Sequence, residues 1–309
     1  MSLFEGKVVV VTGGGRGIGR AHALAFAAAG ASVVVNDLGV NYAGTREGSS
    51  PADDVVEQIV SAGGHAVADY NDVADWRGTE GLLQTALRAF GKADVLINNA
   101  AIIRPSAFIE TREDDLDEVV RVNIKGTFGP MRAFGEFWAK ASSGRGAKPR
   151  RSIICTTSRI GLRGTPYYLT YGCTKAAVAY LVEAAAAELA GIGVRVNGIA
   201  PRADTRMMGD ATNRLVQIAG EQGLQAVFRS TQSRDLDSRE PEPPESISPL
   251  VLWLASDRSE PLSGKIFAAM AGRIALIEGR NERDVVTLPP SHSVEDVDRA
   301  LSALTHLSF

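Results

Sequence analysis

The amino-acid sequence predicts an α/β fold built on a doubly wound parallel sheet. Two observations lead to this prediction. Short runs rich in Val and Ile alternate along the chain with longer, Ala-rich runs of helical periodicity, which is the pattern of repeated βαβ units. The short runs are also continuously apolar, as strands are when helices cover both faces of their sheet.

Six apolar runs are predicted as strands and six longer runs as helices. The predicted strands cover residues 7–11, 32–36, 66–68, 95–97, 152–156 and 194–199. The predicted helices cover residues 20–29, 52–62, 77–89, 116–140, 174–190 and 247–255. Gly30, Gly63 and Gly191 follow three of these helices, where a glycine in a left-handed conformation ends a helix.

Three stretches lie outside this alternation. Residues 38–51 form a polar loop longer than the usual strand-to-helix connection, which indicates that it is either functional or mobile. Residues 205–245 join a helical stretch to a charged, Pro-rich run and could cover a site as a lid. The sequence therefore predicts one main domain at residues 1–274, which contains this lid candidate, and a C-terminal extension at residues 275–309.

Composition and charge exclude several classes of protein. The 309 residues are 45% hydrophobic and 22% charged with a net charge of −3, which argues against a disordered chain and against a nucleic-acid partner. The two cysteines and four histidines show no zinc-ligand spacing, so no metal is expected. The N-terminus lacks the pattern of a secretory signal, and no apolar run reaches the ~18 residues of a membrane helix. We therefore expect a cytoplasmic protein without a membrane partner.

The first predicted strand runs directly into a glycine-rich loop and then into a helix. Gly13, Gly17 and Gly19 are spaced as TGxxxGxG, with Arg16 and Ile18 between them. Glycines at such a junction let the backbone approach a pyrophosphate closely and direct N–H groups and the positive helix end at its phosphates. The alternative is a turn that only connects the two elements. The flanking strand and helix favour a dinucleotide-binding, Rossmann-type domain.

Asp37 closes the second predicted strand, where an acidic residue can accept hydrogen bonds from the adenosine ribose of a dinucleotide. A carboxylate there favours NAD, because it would repel the 2′-phosphate of NADP. Arg16 argues for NADP, since a basic residue in the loop can pair with that phosphate. We weigh Asp37 more heavily and predict NAD, with a role of Asp37 in the turn itself as the alternative.

Further motifs resemble those of the short-chain dehydrogenases and reductases. They are Asp72-Val73 after the third strand, Asn98-Asn99-Ala100-Ala101 after the fourth, Asn123 in a predicted helix, Ser158 after the fifth strand and Tyr171-Gly-Cys-Thr-Lys175. The resemblance covers residues 4 to about 274. It departs from the family pattern at Ala101 and Arg202, where the family usually has glycine.

The resemblance implies an NAD(P)-dependent oxidoreductase acting on a CH–OH group. In such enzymes Asp72 and Val73 would frame the adenine, and Asn98 and Ala100 would lie beside the cofactor. The complete predicted set of cofactor-binding residues is Gly13, Arg16, Gly17, Ile18, Gly19, Asp37, Asp72, Val73, Asn99, Ala100, Tyr171, Lys175, Pro201 and Thr205.

Hydride transfer from an alcohol needs a group that removes the hydroxyl proton, and tyrosine with a pKa near ~10 is a poor base at neutral pH. Lys175 lies four residues after Tyr171 on the same helix face, so its ammonium, together with the positive nicotinamide of the oxidised cofactor, is expected to stabilise the phenolate and lower the tyrosine pKa. Ser158 would hold the substrate oxygen. By family resemblance, Asn123 would hold a water that relays protons to solvent.

These residues also have ordinary structural interpretations. A tyrosine and a lysine at this spacing are often an exposed pair, and a serine after a strand often caps the next helix. Tyr167 and Tyr168 are neighbouring alternatives to Tyr171, but neither has a lysine four residues later. The spacing therefore selects Tyr171.

The loop after residue 36 and the stretches at 20–26 and 98–104 also resemble the (3R)-hydroxyacyl-CoA dehydrogenase region of peroxisomal multifunctional β-oxidation enzymes and their bacterial relatives. This implies an acyl-CoA or steroid-like substrate. The alternatives are a hydroxysteroid dehydrogenase, a 3-oxoacyl reductase, or a nucleotide-binding redox sensor or scaffold without turnover. Met207, Met208, Leu215 and Ile218 fit an adaptable apolar lid or ordinary packing. Family habit implies a homo-oligomer, either a dimer or a tetramer.

Overall fold

The protein is described by a computed structural model over residues 2–40, 50–142, 150–231, 243–260, 262–270 and 272–277. Most of the predicted loop at 38–51, the Pro-rich end of the predicted lid and residues 278–309 of the predicted extension lie outside these residues. One compact unit comprises Met1–Ile277. Its last strand ends at Ile277, past residue 274, where the sequence analysis ended the main domain.

An eight-stranded sheet forms the centre of this unit, in the order β3-β2-β1-β4-β5-β6-β7-β8. The strands are β1 Val8–Thr12, β2 Ser32–Asn36, β3 His65–Asp69, β4 Val95–Asn98, β5 Arg151–Thr156, β6 Val194–Pro201, β7 Ile266–Met270 and β8 Arg273–Ile277. All neighbouring pairs are parallel except β7 and β8. The strand order reverses at β1 and β4, and ligands of such sheets bind at the carboxyl ends of the strands at this point.

Helices lie on both faces of the sheet, so the doubly wound α/β fold predicted from the sequence is confirmed. The helices are α1 Gly17–Ala28, α2 Pro51–Ser61, α3 Trp76–Phe90, α4 Glu113–Val120, α5 Gly126–Ala141, α6 Arg159–Leu162, α7 Leu169–Leu189, α8 Arg206–Thr231 and α9 Ser248–Ala255. Helices α1, α2 and α9 contact one another or the sheet on one side, and α3, α5 and α7 do so on the other.

Two apolar layers sandwich the sheet, because alternate residues of its strands point to opposite faces. In β1, Val9 and Val11 pack with the side of α1, α2 and α9. Val8 and Val10 pack with the side of α3, α5 and α7, whose largest buried side chain is Trp138. All five residues of β1 are buried, which explains why the strand appears in the sequence as a continuous apolar run.

Four differences from the predicted elements concern the site. Helix α1 begins at Gly17 rather than at residue 20, and α7 begins at Leu169 rather than at residue 174. The predicted helix 116–140 is divided by a π-helical turn at Arg121–Lys125. Strands β7 and β8 were not predicted, because β7 is short and Ala-rich and β8 is partly exposed, so that neither is a continuous run of large apolar residues.

None of the helices in the described part of the chain is long and apolar enough to span a membrane. Over the same residues, no group of three or more His, Cys, Asp or Glu side chains is arranged to hold a metal ion.

Candidate active site

A cavity of about 540 Å³ lies at the carboxyl ends of the central strands. Its lining contains every residue predicted to bind the cofactor, together with Ser158. The lining residues from the predicted set are Gly13, Arg16, Gly17, Ile18, Gly19, Asp37, Asp72, Val73, Asn99, Ala100, Tyr171, Lys175, Pro201 and Thr205. These residues come from positions far apart in the sequence, and the sheet brings their ends together at the point where the strand order reverses.

The glycine loop is packed so tightly that side chains would not fit at two of its positions. Gly13 has a φ of +61°, and a Cβ there would lie 2.9 Å from the Cα of Ala100. A Cβ on Gly19 would lie 2.0 Å from the carbonyl oxygen of Gly13. Because α1 begins at Gly17, its first-turn N–H groups, which have no partner within the helix, border the cavity. The loop therefore fits the phosphates of a dinucleotide.

Asn99 holds the backbone of the glycine loop by hydrogen bonds. Its side-chain amide donates to the carbonyl oxygens of Thr12 and Gly13, both at 3.1 Å. Its backbone N–H and that of Ala100 donate to the Thr12 hydroxyl at 3.0 and 3.1 Å. Asn99 thus acts on the cavity by fixing the backbone of the glycine loop.

Asp37 both lines the cavity and holds the loop. One carboxylate oxygen accepts the N–H of Gly15 at 3.0 Å, and the other accepts the N–H of Gly39 at 2.8 Å. Arg16, the residue that argued for NADP in the sequence, donates from Nη1 to the carbonyl of Val40 at 3.0 Å. Asp37 therefore both stabilises the turn and lies at the cavity, two roles that the sequence analysis treated as alternatives.

Ser158, Tyr171 and Lys175 meet at the other end of the cavity. Ser158 follows β5, caps α6 by accepting the N–H of Ile160 at 3.2 Å, and also hydrogen-bonds with Tyr171. Lys175 lies one turn after Tyr171 on α7, with its Nζ 5.6 Å from the centre of the tyrosine ring. The lysine Nζ donates to the carbonyl of Thr156 at 2.7 Å. The predicted spacing thus brings the three side chains together.

In the protein without its cofactor, burial dominates the pKa of Tyr171. Burial raises it to about 12, opposed by the hydrogen bond from Ser158. Burial also lowers the pKa of Lys175 to about 8. The loss of hydration of the phenolate thus outweighs its interactions with neighbouring groups, and the lowering of the tyrosine pKa expected with the oxidised nicotinamide bound stays a prediction.

Asn123 does not line the cavity, contrary to what the family resemblance implies for a residue that holds a water. Its side chain is completely buried and occupied by protein partners. The amide oxygen accepts the N–H of Ile102 at 2.8 Å, and the amide nitrogen donates to the Ile102 carbonyl and the Thr174 hydroxyl, both at 3.0 Å. Its backbone carbonyl accepts the Thr127 hydroxyl at 2.8 Å. The structure therefore places Asn123 as a link between the loop after β4 and helix α7.

Asn98 was also expected beside the cofactor, but it does not line the cavity. Asn98 is the last residue of β4 and is buried, with its amide donating to the carbonyl of Thr127 at 3.4 Å. It points into the layer of α5, because side chains alternate along a strand and the next residue, Asn99, lies at the cavity. Of the alternative tyrosines, Tyr168 is buried and lines the cavity.

Helix α8 covers the catalytic end of the cavity. Ala211 and Leu215 are buried in a cluster with Ile103, Tyr168 and Tyr171. Met207, Met208 and Leu215 line the cavity, and Ile218 packs against the cluster. The helix has a break at Gly220, where φ is +59° and ψ is −167°. The first part of the predicted lid therefore forms an apolar wall over Tyr171.

Sequence reasoning missed several residues of the cavity wall. Asn36, Asn71, Glu118 and Arg121 line it and are joined by hydrogen bonds to other wall residues. Asn36 is the last residue of β2 and Asn71 lies two residues after β3, positions that could have identified them. Glu118, three residues before Arg121, is a local partner, but the pairing of Arg121 with Asp72, 49 residues away in the chain, carries no local signal.

This combination of fold and cavity defines a class: a dinucleotide-binding α/β protein with a tyrosine and a lysine at the catalytic end of the cavity. Within that class the chain belongs to the short chain dehydrogenase family, whose model matches residues 7–215, more than half of the chain. Family membership places the protein among the NAD(P)-dependent oxidoreductases.

Individual relatives agree with this assignment. The peroxisomal multifunctional enzyme type 2 of Mus musculus is 37% identical over 271 residues, which cover 88% of this chain and 32% of that enzyme. The hydroxyacyl-CoA dehydrogenase ChsB1 of Mycobacterium tuberculosis is 31% identical over 88% of this chain and 80% of that protein. The chain thus spans about a third of the length of the mouse enzyme.

A solved structure shows the same fold. The crystal structure of a short chain dehydrogenase from Mycobacterium paratuberculosis bound to NAD has a TM-score of 0.75 and 27% identity. The match covers 86% of this chain and 97% of that one.

Proposed function

We propose that this protein oxidises a (3R)-hydroxyacyl-CoA to the 3-ketoacyl-CoA with NAD. The observation that carries the proposal is the hydrogen bond between Ser158 and Tyr171, one helical turn before Lys175, in the cavity that the glycine loop borders. The acyl-CoA substrate is supported by the name of the mycobacterial relative, a hydroxyacyl-CoA dehydrogenase. It is also supported by the apolar wall that α8 provides.

In the proposed reaction, Tyr171 accepts the proton of the substrate hydroxyl and Ser158 holds the same oxygen by a hydrogen bond. Tyr171 can accept this proton only after its own hydroxyl has lost a proton to solvent, and the Lys175 ammonium, buried beside the ring, stabilises the phenolate present before the transfer. The residues of the glycine loop would hold the oxidised dinucleotide, which would supply the hydride acceptor for the carbinol carbon. Asn123 is a positioning residue, because its side chain hydrogen-bonds with Ile102 and Thr174 and does not line the cavity.

We propose NAD rather than NADP on the position of Asp37. Asp37 comes directly after β2, and its carboxylate lines the cavity and accepts a hydrogen bond from the glycine loop. A 2′-phosphate on the adenosine ribose would meet this negative charge. The relative from Mycobacterium paratuberculosis that is named as bound to NAD is consistent with this choice.

We further propose that residues 1–274 are the catalytic domain, that residues 205–245 act as its lid, and that residues 275–309 are a C-terminal extension. A homo-oligomer is supported by large apolar side chains exposed on α4, α5 and α7, namely Leu116, Val120, Phe128 and Tyr180. A cytoplasmic location is supported by Cys155 and Cys173, which are both unpaired, as expected in a reducing compartment.

The test compares kcat/KM for matched substrates with the full chain, NAD and NADP. The substrates are the R and S isomers of a 3-hydroxyacyl-CoA, their free acids, and simple hydroxysteroids. We expect the R thioester with NAD to react best, because contacts with the CoA moiety contribute to transition-state stabilisation and the wrong isomer turns its hydroxyl away from Ser158 and Tyr171.

Three results would contradict the proposal at different levels. Highest efficiency on a free steroid alcohol would overturn the acyl-CoA substrate and leave the dehydrogenase assignment. Activity only as an NADPH-driven reduction of a ketone would overturn both the cofactor and the direction. NADH binding without turnover of any of these alcohols would favour a redox sensor or scaffold.

A further inference from the structure

Arg121 joins two carboxylates at the wall of the cavity. It is the first residue of the π-helical turn between α4 and α5. Its Nε and Nη2 donate to the two carboxylate oxygens of Glu118 at 2.8 and 2.9 Å, and its Nη1 donates to Asp72 at 2.7 Å. All three residues line the cavity. A guanidinium that holds one carboxylate by a two-bond fork and a second by a third bond is fixed in position.

The arginine holds the turn formed by Asp72 and Val73, which follows β3. The other carboxylate oxygen of Asp72 accepts the N–H of Ala74 at 2.8 Å, so both oxygens are occupied. Glycines surround the turn: a Cβ on Gly78 would lie 2.1 Å from the Asp72 carbonyl oxygen, and one on Gly126 would lie 3.0 Å from Cγ2 of Val73. The turn is therefore closely packed by backbone, and Arg121 ties it to α4.

Charge gives the arginine a second effect. The hydrogen bond of Arg121 lowers the pKa of Glu118, opposed by burial and by the charge of Asp72. Glu118 and Asp72 both bind the same guanidinium, whose positive charge offsets the repulsion between the two carboxylates. Without Arg121, the two carboxylates would lose this shared partner.

We propose that Arg121 is a positioning residue for the adenine half of the cofactor, because it fixes the wall made by Asp72 and Val73. The inference rests on the proposed function, since it presumes that this cavity takes a nicotinamide dinucleotide. Arg121 acts through Asp72 and has no part in proton or hydride transfer. Its loss affects ligands that contain adenosine and spares those that do not.

The experiment measures dissociation constants of NADH, ADP-ribose and nicotinamide mononucleotide for the full chain and for Arg121→Met. We expect NADH and ADP-ribose to bind about three- to tenfold more weakly, as for the loss of a partly exposed ion-pair network. The mononucleotide should change by less than about twofold. In turnover, the KM for NAD should rise with the same factor while kcat changes less.

Arg132→Met provides a matched control. Arg132 lies on α5, the helix that follows the π-helical turn, and pairs with a glutamate, Glu136, at 3.2 Å, but it is outside the cavity lining. It has a similar side-chain exposure, 44% against 38% for Arg121. We expect this variant to bind ADP-ribose as the wild type does.

Glu118→Gln separates positioning by charge from a general effect on folding. In the wild-type background it removes the charge and one of the two acceptor oxygens that hold the Arg121 guanidinium, and it should weaken ADP-ribose binding. In the Arg121→Met background it removes one of two repelling carboxylates and should strengthen binding. If the contact between Glu118 and Arg121 only stabilised the fold, Glu118→Gln would change the affinity for ADP-ribose in the same direction in both backgrounds.

Different results would overturn the role of Arg121 and the proposed function. A wild type that binds neither NADH nor ADP-ribose would overturn the proposed function. A wild type that binds both, with Arg121→Met binding them equally well, would overturn the role of Arg121 alone. If Arg121→Met fails to fold, Arg121→Lys replaces it, because lysine keeps the positive charge but cannot form the two-bond contact with Glu118. Equal losses of affinity for ADP-ribose and for the mononucleotide in that variant would overturn the inference.

Discussion

The amide nitrogen of Asn123 donates to the hydroxyl of Thr174 over 3.0 Å and so joins the π-helical turn to the helix that carries Tyr171. The same side chain exchanges two hydrogen bonds with the backbone of Ile102. Three elements that border the cavity therefore meet at one buried amide, although Asn123 and Thr174 are 51 residues apart in the chain.

Replacing this amide should destabilise the protein. Asn123→Ala leaves the Ile102 N–H and carbonyl without their partner, at a cost of about 1–3 kcal/mol for each buried group that stays unsatisfied. Urea unfolding measures the loss. Thr174→Val, which removes the hydroxyl's hydrogen bonds with Asn123 and with the Tyr171 carbonyl but leaves both bonds to Ile102 in place, is the control and should cost less. Equal stabilities of Asn123→Ala and the wild type would show that the link is dispensable.

Tyr171→Phe should separate binding from catalysis. The substitution removes only the hydroxyl, whose deprotonated form accepts the substrate proton, so turnover should fall by at least ~10²-fold, as for the loss of a general acid–base group. NADH affinity, measured by fluorescence, should stay near that of the wild type. Comparable turnover in the purified variant would remove Tyr171 from the mechanism and direct attention to Tyr168, which also lines the cavity.

Asp37 should control the choice between the two nicotinamide cofactors. Fluorescence titration of the wild type should give a lower dissociation constant for NADH than for NADPH. Asp37→Ala should narrow the gap, because it removes the charge that opposes a 2′-phosphate. Both cofactors should also bind more weakly to the variant, since the N–H of Gly15 loses its acceptor. Tighter NADPH binding by the wild type would mean that Arg16 prevails.

Gly19→Ala should abolish cofactor binding. A Cβ at this position would lie 2.0 Å from the backbone oxygen of Gly13, so the loop must open to accommodate it. Gly191→Ala is the matched control, because no atom lies within 4 Å of its added Cβ. Isothermal calorimetry with NADH compares the two variants. Wild-type affinity in Gly19→Ala would disprove the close packing of the loop.

His22 should make the protein less stable in mild acid. It is fully buried in α1 with Nδ1 2.9 Å from the Ser248 hydroxyl, and burial lowers its pKa from 6.5 to about 3. Between these two values the unfolded chain binds a proton at His22 and the folded chain does not. The free energy of unfolding therefore falls as the pH drops below 6.5, by at most about 1.4 kcal/mol per pH unit from this group.

Urea unfolding of the wild type and of His22→Asn at pH 7 and pH 5 checks this expectation. The variant lacks the titrating group, so the stability difference between the two proteins should shift in favour of the variant at pH 5. His65→Asn, at an exposed position, is the control. A difference that does not depend on pH would contradict the assignment.

Local patterns in the sequence determined most of the architecture and the chemical groups of the site. A strand buried on both faces is apolar along its length, which is why six of the seven parallel strands could be predicted from short runs such as the one preceding Gly13. Helical periodicity placed Lys175 one turn after Tyr171. The glycine spacing predicted the loop, because only glycine fits where its backbone atoms come close together.

Only the tertiary structure decided how these groups are supported. The pair of Arg121 and Asp72, the burial of Asn123 and the packing of Leu215 against Tyr171 each join segments that are distant in the chain. The direction of the tyrosine pKa shift likewise follows from burial, which the spacing of Tyr171 and Lys175 does not encode. Such contacts depend on which surfaces the folded sheet and helices bring together, and no periodicity within one segment records them.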